Sequence, residues 1–313
     1  MLQRRTVACI ALAVAVAGCR HPASPGSWKT RFGPAITSEV IVGHLVTGGS
    51  AWILTDGDAL VHIDLEGERY TRNVLRPLAP GEHPWGLASV AGGGMWTLLG
   101  RTLLAELSGD GRILRRVNLT QPHMGVFGGG RHLLYQVVSF QPPADALLAG
   151  PPGEDGRRPW GAMKTRALPL ARTAVAALNL VSCGSTAGRS VPCWFPDLAE
   201  VTLTDSTGSS RTLALEGLPL VAPEVLLASD NPQRPVRDAL ISASNDLWVL
   251  GSGRAPSAGS PDRRGGWLLA KYSENGKLMR RIQLPEPARL LLSVSDDRCL
   301  LLAWNGSVVE VRP

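Results

Sequence analysis

The sequence predicts an all-β fold: a six-bladed β-propeller of four-stranded antiparallel blades, its ring closed by an N-terminal strand in the last blade. Three observations predict it. The segments "GGSAWILTDGDALVHIDLEGERYTRNVL" and "GGGMWTLLGRTLLAELSGDGRILRRVNL" superpose, with Trp52 and Trp96 each fifteen residues ahead of Gly67 and Gly111. The apolar runs are mostly four to seven residues long, rich in Val, Leu and Trp, and turn clusters separate them, a pattern of many short strands with little helix. Finally, "SVVEVRP" at the C-terminus matches a third strand with no fourth behind it, while "SWKTRF" at 27–32 sets basic residues between apolar ones, as the fourth strands do. Pairing these two segments removes the exposed edges that an open array would carry.

Residues 1–18 read as a secretory signal. Arg4 and Arg5 make a positive start, and the small apolar run at 6–18 is too short to span a bilayer. The run ends in "VAGC", which resembles the lipobox of bacterial lipoproteins, and the resemblance implies that Cys19 carries lipid as the first residue of the mature chain. Residues 19–27 then form a polar linker and 28–313 the propeller. Several acyl chains anchor a protein stably, so the expected membrane contact is a tether and not a span. Arg20, where that system would read an Asp, points to the periplasmic side of an outer membrane.

The formal charge of +6 falls to +4 once Arg4 and Arg5 leave, and no dense basic run or aromatic stripe accompanies it. A nucleic-acid partner is therefore not expected. Cys9 leaves with the signal. Cys183 and Cys193 bracket "GSTAGRSVP" in a compartment that permits disulfides and are expected to bond, whereas Cys299, in "DDRCLLLAW", reads as a buried free thiol.

Six units follow in order, at 44–75, 85–119, 124–168, 173–215, 237–284 and 289–313. Trp52, Trp96 and Trp248 each open a second strand, where a large ring fills the widening gap between blades. Packing is the expected role of all three. The glycines ahead of Trp52 and Trp96 suit tight turns between first and second strands.

Catalytic templates are missing: there is no GxSxG, HExxH, GxxxxGK or CxxC. The candidates lie where first strands begin, at one mouth of the central channel. These are His44, His83, Trp85, His123, Arg237, Asp238 and Arg289. Trp85, His123, Arg237 and Arg289 are the expected ligand-binding set, suited to an anionic or carbohydrate ligand. The competing account is that these are solvated loop residues sharing a face.

The segment with Pro84, Gly86, Leu87, Gly93 and Trp96 resembles the repeat of virginiamycin B lyase and related bacterial propellers, in which P-x-G-[IL] precedes G-x-x-W. The mature chain as a whole looks like the six-bladed propellers of the NHL-repeat and gluconolactonase type. Such lactonases hold a divalent cation with Glu, Asn and Asp. Here Asp238 is the one obvious carboxylate at the strand starts, so neither metal nor cofactor is expected. The lyase resemblance implies that His123 could stand for a channel histidine. The enzymatic alternative, a lyase or lactonase, would use His44, His123 and Asp238 as acid–base groups.

Long excursions at 183–197 and 251–266, taken as loops between second and third strands, and at 216–235 between blades, are expected on the channel-mouth face. The excursion at 150–160 belongs on the other. Loops on a rigid scaffold often carry function. The expected function is thus a monomeric, lipid-anchored envelope module that binds a protein or glycan partner through one loop-rich face.

Overall fold

In the computed structural model the described residues are 24–25, 27–91, 94–137, 142–152, 154, 158–184, 190–227, 234–252 and 266–312. The signal segment, Cys19 and the interior of the 251–266 excursion lie outside them.

Strands rich in apolar residues on both faces need cover on both faces, and here neighbouring sheets supply it. In the first blade, Ile41–Thr47, Ser50–Thr55, Ala59–Asp64 and Arg69–Val74 pair in sequence order. The inner three are largely covered, and Arg69–Val74 faces solvent on the rim. The second blade repeats this with Pro84–Ser89, Met95–Leu99, Leu103–Leu107 and Ile113–Asn118. Gly125–Gly129, His132–Gln136, Leu147–Gly150 and Arg158–Pro159 make the third, and Ser182–Cys183, Ser190–Trp194, Glu200–Asp205 and Ser210–Ala214 the fourth.

The expected count of six blades is corrected here. Four four-stranded sheets stand as separate blades, and the rest of the chain forms one eight-stranded sheet. Its members are Asp238–Ile241, Leu247–Gly251, Gly266–Tyr272, Leu278–Val294, Cys299–Ala303, Val308–Arg312 and Ser27–Phe32, with Ser24–Pro25 beside Leu278–Val294. The 17-residue strand Leu278–Val294 causes the fusion. Its first half pairs with Gly266–Tyr272 and its second with Cys299–Ala303. The fifth unit was expected to end at 284 and the sixth to begin near 289, with a break between them. Instead, Leu284 and Glu286 each precede a proline, a context that favours extended backbone over a turn.

Ser27–Phe32 does lie antiparallel to Val308–Arg312, with Ser27 opposite Arg312 and Lys29 opposite Glu310. Apolar faces close the ring. Ala51, Ile53 and Val61 of the first blade share a buried cluster with Leu290, Leu292, Leu302 and Val308 of the eight-stranded sheet. Trp96 packs against Val126 and Tyr135 of the next blade, and Trp248 is fully buried against Leu301 and Val309. Trp52 is half-buried and stacks on His62 at 4.1 Å between ring centroids.

Around the channel the innermost strands approach backbone to backbone. A Cβ on Gly43 would sit 2.4 Å from the Leu87 nitrogen, and one on Gly86, which has φ +72°, would sit 2.7 Å from the Val126 oxygen. Larger residues there would force the blades apart.

Because strands alternate direction, connections between second and third strands, and between blades, fall at the end where first strands begin. Two corrections follow. Cys183 and Cys193 sit directly opposite each other on the first and second strands of the fourth blade and are bonded. The two cysteines therefore flank a connection between first and second strands, and not the expected one between second and third. The blade itself begins at Ser182, and the expected strand near 173 is the helix Arg172–Leu178. A second helix, Pro223–Leu227, lies in the next inter-blade connection.

Candidate functional site

First-strand starts line a cavity of about 480 Å³ at the channel mouth. Ile41–Thr47 contributes Gly43 and His44, Pro84–Ser89 contributes Leu87, and Gly125–Gly129 contributes Phe127. The eight-stranded sheet brings Asp238, Arg289 and Trp304, and the connection before it brings Arg234 and Arg237.

Asp238 is almost wholly buried, and each carboxylate oxygen has a defined task. Oδ1 accepts the Ala239 N–H at 2.9 Å and lies 3.4 Å from His44 Nε2. Oδ2 accepts the Leu291 N–H at 2.7 Å. One side chain thus ties its own strand to the second half of Leu278–Val294 and, through His44, to the first blade. Burial pulls the His44 imidazole pKa down, but the charge and hydrogen bond of Asp238 outweigh it, and the net shift is upward.

Arg289 donates to the carbonyls of Glu39 and Thr37, each at 3.0 Å, and lies over the Trp304 ring at 4.7 Å. The Glu39 carboxylate accepts the Thr37 N–H at 3.1 Å and pairs with Arg72. Backbone hydrogen bonding, its own N–H first, together with Arg72, holds it below the usual carboxylate range against the opposing effect of burial. Burial, then the positive fields of Arg234 and Arg289, push the Arg237 pKa down to about 10. Burial also lowers that of Arg234.

Of the residues singled out from sequence, His44, Arg237, Asp238 and Arg289 meet at this cavity. Trp85 and His123 do not line it. Trp85 is 47% exposed. His123 is buried ahead of the third blade, its ring 4.9 Å from Tyr135 and its N–H donating to the Arg101 carbonyl at 2.8 Å. His83 is exposed, its carbonyl accepting the Gly100 N–H at 2.8 Å. The acid–base trio of His44, His123 and Asp238 is therefore not assembled at the mouth. Sequence reasoning missed Glu39, Arg234, Trp194 and Trp304. Only Arg234 had a signal, its place three residues before Arg237 in "RPVRD". Among the described residues, no three His, Cys, Asp or Glu side chains gather as a metal would require.

No protein-family model and no curated protein matches this chain. Solved structures do. A member of the DUF4221 family from Bacteroides vulgatus superposes with a TM-score of 0.55 at 9% identity, over 93% of this chain and 96% of that one. BBS1N, solved in complex with ARL6DN, gives 0.51 at 12%, over 93% and 98%. Catalytically inactive virginiamycin B lyase from Staphylococcus aureus, solved with quinupristin, gives 0.50 at 11%, over 92% and 99%. At such identities the likeness shows fold alone. This chain is a β-propeller.

Proposed function

We propose that this chain is a binding or scaffold module of the cell envelope, held by lipid on Cys19 at the periplasmic side of an outer membrane, that engages a protein partner through its channel-mouth face. The observation that carries the proposal is the asymmetry of the ring. The chain between Gln136 and Leu147, the connections at 166–181 and 215–237, and the excursion between Gly251 and Gly266 all leave and rejoin the strands at the cavity end. The first-to-second turns of the first three blades, at the other end, are short, and that of the fourth is closed by a disulfide.

Chain entry is consistent with presentation of that face. Ser24–Pro25 and Ser27–Phe32 lie on outermost strands, so a tether reaches the rim without crossing the mouth. BBS1N, a similar structure solved in complex with ARL6DN, supports this reading. Acid–base catalysis of lyase or lactonase type is disfavoured, because Asp238 is occupied by two backbone N–H groups and His123 lies outside the cavity.

Cross-linking the full chain in membranes tests this. Shortening 251–266 should abolish a specific cross-linked partner while shortening 150–160 spares it, and Cys19→Ser should release the chain from the membrane fraction. A partner retained after the first deletion, or lost equally after both, would sink the proposal.

A further inference from the structure

The cavity wall is lopsided in charge. Arg234, Arg237 and Arg289 all line it, close enough that two of them disfavour the charged form of the third. Among the described residues, the carboxylates in the same wall are already committed. Asp238 serves the Ala239 and Leu291 N–H groups and His44, and Glu39 serves Thr37 and Arg72. Arg289 is fixed by two carbonyls and an aromatic face, and the Glu39 charge also acts on it, so the Arg234 and Arg237 guanidinium groups are the ones to meet a ligand's charge. Gathering like charges in a recess costs folding free energy through self-repulsion and desolvation. A recess of this kind is, however, already organised for a planar or tetrahedral oxyanion, which guanidinium groups bind through paired N–H donors.

The rest of the wall is apolar and aromatic: Leu87, Phe127, Trp194, Leu290 and Trp304. At about 480 Å³ the space is in the range of small-molecule sites and much larger than a free phosphate needs. We propose that the channel mouth is a binding site for a small organic oxyanion, a carboxylate or a phosphate monoester, whose charged end meets Arg234 and Arg237 while its apolar body lies against Trp304 and Phe127. This goes beyond the partner-binding reading and does not depend on it, since a ligand of this size is held by the cavity alone.

Calorimetric titration of the full chain in detergent, at constant ionic strength, tests the site with four probes: phenyl phosphate, benzoate, inorganic phosphate and neutral benzyl alcohol. The expected result is saturable binding of phenyl phosphate or benzoate, tighter than inorganic phosphate, with no saturable binding of the alcohol. Preference between the first two separates a phosphate from a carboxylate ligand. Arg237→Gln and the more exposed Arg234→Gln should each weaken binding about tenfold or more, as loss of a charge-assisted contact does. Unchanged circular dichroism and cross-linking in these variants would confine the effect to the cavity. The proposal is overturned if neither organic anion binds saturably, if benzyl alcohol binds as well as they do, or if both arginine variants bind like the parent.

Discussion

The two ends of the ring solve different problems. At the far end, short hairpins close the blades with local chemistry, each contact spanning a few residues, and the Cys183–Cys193 bond, whose Cys183 also lines the cavity, ties the first two strands of the fourth blade. At the cavity end, order depends on residues far apart in the chain. Asp238 reaches Leu291 and His44, and Arg289 reaches Thr37 and Glu39, more than two hundred residues away. The contrast teaches that one end is a fastening and the other a surface whose polar groups were placed by ring closure.

Breaking each end separately should expose the difference. The largest effect is expected from Asp238→Ala, which strands two backbone N–H groups and the partner of a mostly buried His44. A loss of about 3–5 kcal/mol in chemical denaturation is expected, as for a broken buried pair. A loss below ~1 kcal/mol would show that the cavity end is not held through this carboxylate. The double variant Cys183→Ser, Cys193→Ser tests the local fastening of the fourth blade. Closing so short a loop is worth about 2.5–3 kcal/mol.

His44 has a raised pKa in the folded chain, so its contribution is full below the unfolded imidazole value near ~6.5 and is lost as pH rises through the folded value. His62, whose pKa is lowered chiefly by burial, acts in the opposite sense. The difference between parent and His44→Gln is therefore the informative measurement. It should shrink between mildly acidic and mildly alkaline pH and vanish in an Asp238→Asn background. The smallest effect belongs to Trp85→Ala, expected within about 0.5 kcal/mol because the ring is half in water and lies off the cavity. A loss of oxyanion binding in that variant would mean that the mouth is wider than its present lining.

Much of this was legible beforehand because repetition makes positions equivalent. His44, Arg237, Asp238 and Arg289 stand near the starts of their first strands, and they converge at the cavity. The same rule failed for Trp85, which has the right place but the wrong face. Its strand is irregular between Trp85 and Ala88, and a one-residue shift moves a side chain from one face to the other. Arg234 escaped notice because a connection without periodicity delivers it.

The short strands, the paired cysteines, the tryptophans between sheets and the pairing of 27–32 with 308–312 are written in the chain itself. Each follows from local pattern or from an unmatched edge. Packing in three dimensions settled that four blades stand apart while Leu278–Val294 fuses the remainder, that the disulfide joins first and second strands and not second and third, and that His123 lies off the cavity. Those outcomes depend on whether the chain stays extended at Pro285 and Pro287 and on which way each strand enters the ring. Both are settled by packing against neighbours that a linear pattern does not contain.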